Sequence, residues 1–214
     1  MGSLSCKKHG KRTGRYEEVV MKIVLASSNI HKVQEINEIV KSSHPDLDLE
    51  FVLPPEDFDP DENGKTFEEN SYIKAHAAWK LSKTWTLADD SGLCIDALGG
   101  NPGIYSARYA ETPVLRIQRV LRELEGVAEE KRTARFCCAM TLINPKGDIE
   151  YNVLGKCEGK IISQARGING FGYDPIFVPD GYNTTIAELS EEEKNEISHR
   201  GNALREVLRY ICNK

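Results

Sequence analysis

The feature that most constrains this fold is a long alternation of apolar side chains, interrupted once. From Thr133 to Ile143 the residues Ala134, Phe136, Cys138, Met140 and Leu142 fall on one face; Asn144-Pro145-Lys146-Gly147-Asp148 turns the chain; Ile149, Tyr151 and Val153 then resume the alternation toward Cys157. Neighbouring side chains of a strand point to opposite faces, so this stretch is an antiparallel hairpin. Lys22-Ile23-Val24-Leu25-Ala26 is instead a nearly continuous apolar run, as in a strand buried on both faces, and Val33, Ile36 and Val40 follow at helical spacing. A strand-loop-helix unit beside a hairpin requires a mixed sheet in an α/β protein.

The remaining elements are placed by their end signals. Leu49 to Leu53 reads as a strand, followed by an acidic loop with Glu56, Asp57, Asp59, Asp61 and Glu62. Thr66 and Glu69 form a capping box for a helix running to about Ser82, with Phe67, Asn70, Lys74, Ala77, Ala78 and Leu81 on one face. Leu87 and Ala88 end a strand, and Asp89-Asp90-Ser91-Gly92 reads as the turn after it. Thr112 and Pro113 start a helix with Val114, Ile117, Leu121 and Leu124 inward, stopped at Gly126. Ile176 to Val178 is a further strand; Ser190 and Glu193 make a second capping box; Ser198-His199-Arg200-Gly201 interrupts before a last helix packs Leu204, Val207, Leu208 and Ile211.

A chain of 214 residues buries a substantial core. Residues 1–20 are basic and poor in apolar side chains, the composition of a disordered extension, which leaves 21–214 as a single α/β domain. A net charge of -5 argues against a nucleic-acid partner. No apolar run approaches the ~20 residues that cross a bilayer, so no membrane partner is expected. The cysteines Cys6, Cys94, Cys137, Cys138, Cys157 and Cys212 have no metal-binding spacing and fit buried thiols in a reducing cytoplasm.

Several groups are chemically conspicuous. Ser27-Ser28-Asn29-Ile30-His31-Lys32 opens a helix whose free amides, with Lys32, suit a phosphate, although a simple cap by Ser28 or Asn29 explains the same residues. Asn70 and Lys74 interrupt an apolar helix face; Lys74 either snorkels to solvent or lines a cleft beside carboxylates. Gly167 to Pro175 is a glycine-rich loop with Phe171, Tyr173 and Asp174, which either cradles a flat ligand or fills core. Acids for a hard cation and lysines for a polyphosphate are the equipment of metal-assisted phosphoryl chemistry, while Walker and kinase patterns are absent.

The motifs Ser27 to Lys32, Thr66-Phe67-Glu68-Glu69-Asn70 with Lys74, Ala88-Asp89-Asp90-Ser91-Gly92-Leu93, Leu98-Gly99-Gly100 to Ser106-Ala107-Arg108-Tyr109, Phe171-Gly172-Tyr173-Asp174-Pro175, and Glu193-Lys194 followed by Ser198-His199-Arg200 occur in one order. From Lys22 to about Ile211 the chain resembles the HAM1 family of inosine and xanthosine triphosphate pyrophosphatases. The resemblance implies a mixed, twisted sheet flanked by helices, two lobes around a central active-site cleft, and a homodimer. It implies hydrolysis of ITP, dITP or XTP to the monophosphate and pyrophosphate with Mg²⁺. By position, Asp90 is the general base; Glu62 and Asp90, with Asp89 in support, hold the metal. Ser27, Ser28, Asn29, Lys32 and Lys74 hold the triphosphate; Ser91, Phe171, Gly172, Tyr173, Asp174, Lys194, His199 and Arg200 surround the nucleoside. Ser28 stands where the family often has glycine, which demands a negative φ there. Maf-type pyrophosphatases and a non-hydrolysing nucleotide sensor are the alternatives.

Overall fold

The computed structural model describes residues 20–214; the extension expected at the N-terminus, and Cys6 with it, lies outside the described residues. A six-stranded sheet forms the frame, in the order β2 (Leu49–Val52), β1 (Met21–Leu25), β3 (Thr86–Ile95), β4 (Thr133–Ile143), β5 (Ile149–Ile161), β6 (Phe177–Pro179). β1 runs parallel to β2 and β3, and the other pairs are antiparallel, as the juxtaposed motifs require. The helices are α1 (Ile30–Ser43), α2 (Phe67–Ser82), α3 (Pro113–Glu123), α4 (Glu191–Ile197) and α5 (His199–Cys212).

The apolar run of β1 divides between the two faces of the sheet. Ile23 and Leu25 join α1 and α5 in one core, whereas Val24 and Ala26 pack with Ala75 and Ala78 of α2 on the other side. β4 is buried on both faces too: Cys137 and Ala139 meet Phe67 behind the sheet, while Cys138, Met140 and Leu142 face α5. Farther along the same strands, Leu93, Ile95, Ala134 and Phe136 belong to a separate core with Val120, Leu124 and Phe177.

Several expectations are corrected. Asp89-Asp90-Ser91-Gly92 is not a turn: β3 continues to Ile95 and pairs with β4 throughout, because buried cations partner the two acids and hold the extended backbone. The interruption before the last helix is Ser198 alone rather than Ser198 to Gly201: in an extended conformation it ends α4 and caps α5, which begins at His199. At the start of α2, Thr66 accepts from Glu69 N, but the Glu69 carboxylate reaches Lys65 N, so the box is not reciprocal. Leu81 is 65% exposed, since Trp79 makes the contact with the hairpin turn and donates to the Pro145 carbonyl. Val114, 63% exposed, stands in the first turn of α3 beyond the buried Val120 and Leu124.

Candidate active site

Alternation along β3 sends Asp89 and Ser91 to the face covered by α1 and α5, and Asp90 to the face covered by α2. On the first face, Asp89 lies between Leu87 of one core and Leu93 of the other. Its carboxylate meets Lys32 Nζ at 3.0 Å and Arg200 Nη2 at 3.2 Å. Arg200 also donates to Ser91 Oγ at 3.0 Å and pairs with Glu35. Glu35 takes Lys194 at 2.5 Å, and Lys194 reaches Asp174 at 2.8 Å. The result is a buried chain of alternating charge: Lys32, Asp89, Arg200, Glu35, Lys194, Asp174. Burial raises the Asp89 carboxyl, but Lys32, Arg200 and Lys74 outweigh it and hold the group well below the usual range. Glu35 is also lowered, with burial opposed by Arg200 and Lys194.

On the other face, Lys74 Nζ sits 2.9 Å from Asp90 Oδ1 and 3.1 Å from Glu62 Oε1. Asn70 donates to Asp90 Oδ2 at 3.3 Å and accepts from Gly64 N at 2.8 Å, tying the preceding loop to α2. These contacts explain why Asn70 and Lys74 interrupt an otherwise apolar helix face. Burial pushes the Asp90 carboxyl up and Glu62 adds to it, against Lys74 and Lys32. Adjacent acids are thus driven in opposite directions.

Two carboxylates already face one cation, the Lys74 ammonium, and hard oxygen donors of that kind suit Mg²⁺, which is ordinarily held by one or two carboxylates plus substrate phosphates. Among the described residues no three acids, histidines or cysteines converge into a metal cage. Asp89, expected in support of the metal, faces the opposite side of the sheet and spends one carboxylate oxygen on Lys32 and Arg200.

Around the phosphate loop, Asn29 caps α1, its side chain accepting from His31 N at 3.1 Å and Lys32 N at 3.4 Å. Ser27 is buried and accepts from Asn29 N, and Ser28 is exposed. Among the described residues Lys83 is the single non-glycine with positive φ, so Ser28 meets the backbone requirement. In the glycine-rich loop, Phe171 is half-buried and stacks on His31 with ring centroids 5.3 Å apart. Lys194 Nζ lies 4.8 Å and Arg200 Cζ 5.8 Å from the Phe171 centroid. Gly172 follows at φ 65, a conformation that favours glycine. Tyr173 belongs to the second core, its hydroxyl donating to the Ser106 carbonyl, and buried Asp174 accepts from Phe171 N at 2.9 Å. His199 is buried and stacked on Phe136, and burial with Arg200 and Lys194 nearby keeps its imidazole neutral.

The structure therefore collects Lys32, Asp89, Ser91, Phe171, Asp174, Lys194 and Arg200 on one face, with Glu62, Lys74 and Asp90 on the other. Glu35 was missed by sequence reasoning; the available signal was an acid one turn after Lys32, flanking the apolar face of α1. Phe136, the platform for His199, carried no signal beyond its place in the alternation.

The sequence pattern of the Ham1 family matches residues 23–210. A dITP/XTP pyrophosphatase of Bacillus cereus is 46% identical over 201 residues, spanning 89% of this chain and 94% of that protein. One of Treponema denticola is 45% identical over 200 residues, spanning 89% and 98%. The solved structure of the Staphylococcus aureus Ham1 protein superimposes with a TM-score of 0.78 at 39% identity, covering 89% of this chain and 97% of that one. With fold and sequence in agreement over nearly its whole described length, the chain belongs to the Ham1 family.

Proposed function

We propose that this protein is a nucleoside triphosphate pyrophosphohydrolase that cleaves ITP, dITP and XTP at the α-phosphorus, with Mg²⁺ as cofactor. The observation that carries the reading is the opposed pair Asp89 and Asp90: one acid locked as a charge-paired anchor, the other raised toward a working base. A water oxygen attacks the α-phosphorus, the bond to the bridging oxygen breaks, pyrophosphate departs, and Asp90 takes the water proton. Glu62 and Asp90 hold the metal, which when bound neutralises phosphate charge. Lys32 and Lys74 do the same from the protein, and Ser27, Ser28 and Asn29 orient the chain of phosphates. Asp89 keeps Lys32 and Arg200 in place from the far face of β3.

Phe171 offers a stacking surface to the base, with Lys194, Ser91, Gly172, His199 and Arg200 around it, while Tyr173 and Asp174 fix the loop from beneath. Donors such as Arg200 or loop amides pair with an oxygen at purine position 6 and stay unpaired before the amino group of adenine, a mismatch that discriminates by factors on the order of 10⁴. The reading includes a homodimer, for which exposed Val114 and Leu115 leave apolar surface on α3, and a cytoplasmic location, which suits the thiols of Cys94, Cys137, Cys138 and Cys157. Among the described residues no helix is long and apolar enough to cross a membrane.

Pyrophosphate release is to be measured from ITP, dITP, XTP, GTP, ATP and UTP, with and without Mg²⁺. Turnover of the 6-oxo non-standard purines, dependent on the metal, is expected. A folded protein that releases no pyrophosphate overturns the reading, and equal rates with ATP overturn its selectivity. Sedimentation velocity tests the dimer.

A further inference from the structure

The cleft beside Phe171 is open to solvent, lined by His31, Asn169, Phe171, Leu189, Lys194 and Asn195, and holds about 100 Å³. His31 covers one face of the Phe171 ring, so a base that stacks on that face must displace it.

The walls differ in how firmly they are held. Phe171 is anchored through its backbone amide to Asp174, and Lys194 is locked between Glu35 and Asp174. Asn195 donates to Glu38 at 3.4 Å, and Asn169 donates to the Leu189 carbonyl at 2.9 Å. His31 is exposed on the first turn of α1, and the contact its ring makes is the stack on Phe171, nearly parallel at 18°. Its backbone amide is held by Asn29 whatever the side chain does. A χ rotation of His31 alone uncovers an aromatic face and enlarges the slot, with no change in the backbone.

We propose that His31 is a plug on the nucleobase slot: its imidazole covers the face of Phe171 that the purine of a bound nucleotide takes, and the base displaces it. The inference rests on the proposed nucleotide reading and deepens it. Because the plug occupies the free protein most of the time, apparent affinity for any ligand that places a purine there is reduced by the fraction of molecules in which the slot is open. A stacked aromatic pair is strong enough to make that reduction about two- to tenfold. His31 neighbours Lys32, so the turn that meets the phosphates also carries the plug, and engagement of the two ends of the nucleotide is linked through one turn of helix.

The test compares the full chain with His31→Ala and His31→Phe. Affinity for inosine monophosphate is read by titration calorimetry, affinity for inorganic tripolyphosphate serves as the base-free control, and steady-state kinetics are read with ITP. His31→Ala is expected to tighten inosine monophosphate about two- to tenfold and to lower KM for ITP by a similar factor, the change falling in KM rather than kcat. His31→Phe, which keeps a stacking ring, is expected to return affinity to the starting value, and tripolyphosphate is expected to bind all three alike. Unchanged or weakened purine binding in His31→Ala overturns the plug, as does an equal shift for tripolyphosphate. Tightened monophosphate binding in a protein that hydrolyses no triphosphate supports the plug and overturns the enzyme reading. Intact hydrolysis with unmoved affinity does the reverse, and a protein that neither binds inosine monophosphate nor hydrolyses ITP overturns both.

Discussion

Asp89 and Asp90 are neighbours in the chain and strangers in the fold. Each meets a lysine, yet one is held ionised and the other raised: at Asp89 the cations Lys32 and Arg200 outweigh burial, whereas at Asp90 burial outweighs Lys74 and Lys32, with Glu62 adding to it. Asp90→Asn keeps the shape and removes the proposed base, so turnover of ITP should fall by about 10² to 10⁴ while ITP binding persists, read by kinetics beside calorimetry. Turnover near the parent level would take the base role from Asp90. Glu35→Ala leaves Arg200 and Lys194 with a buried positive charge unmatched, and unfolding in urea should show a loss of about 3 kcal/mol or more. At this scale the sequence was informative where a polar residue broke an apolar pattern: Asn70 and Lys74 stood out because their helix face had no other reason to hold them. It was silent on Glu35, which sits at the margin of the α1 pattern and acquires its partners from α4 and α5, distant in sequence.

The elements were legible wherever period and end signals agreed. The hairpin, the buried first strand, and the caps at Thr112 and Ser190 were all readable, and Ser190 with Glu193 makes the full reciprocal box. β3 was misread as ending before Asp89 because local turn chemistry and tertiary pairing conflict there; β4 on one edge and buried cations on both faces decide in favour of strand. The start of α5 was misplaced for a related reason, since Gly201 reads as a breaker but serves a close approach: a Cβ there would lie 2.1 Å from the Asn195 carbonyl oxygen. The corresponding contact on the sheet side is Gly155 of β5, where a Cβ would lie 2.3 Å from the His199 carbonyl oxygen and 2.6 Å from Ala203 N. Backbone cannot step aside as a side chain does. Gly155→Ala should therefore push α5 from the sheet, lowering stability by about 1 to 3 kcal/mol and reducing turnover together, because His199 and Arg200 ride on that helix. A loss of stability with turnover untouched in the folded fraction would show that α5 tolerates the shift.

Across the whole molecule, a polar seam divides the hydrophobic interior: Asp89, Ser91 and Arg200 separate the two cores on one face of the sheet, and Asp90 with Lys74 stands between Ala88 and Phe67 on the other. Stability should follow the charge state of that seam. Asp89 and Glu35 lie below their unfolded values, so their contribution is present above about pH 4 and is lost as the pH falls through the lowered values. Asp90 and Asp174 are raised, and protonating them as the pH falls through those higher values favours the folded state. Urea unfolding measured from pH 7 to pH 2 should thus show a loss from His199 below about pH 6.5, where the unfolded imidazole takes a proton that the buried one refuses, offset in part as Asp90 and Asp174 protonate, and a steep loss below about pH 4; equal stability at pH 7 and pH 2 would contradict this balance. Lys74, placed between Glu62 and Asp90, has a wider meaning. It supplies an internal countercharge, so the folded state does not need a metal to hold two acids together, and a chelator should stop catalysis while leaving the melting temperature where it was. On the proposed metal dependence, such a protein would survive periods of cation scarcity intact and resume work when supply returns, its rate following the ion content of its surroundings rather than any earlier act of loading.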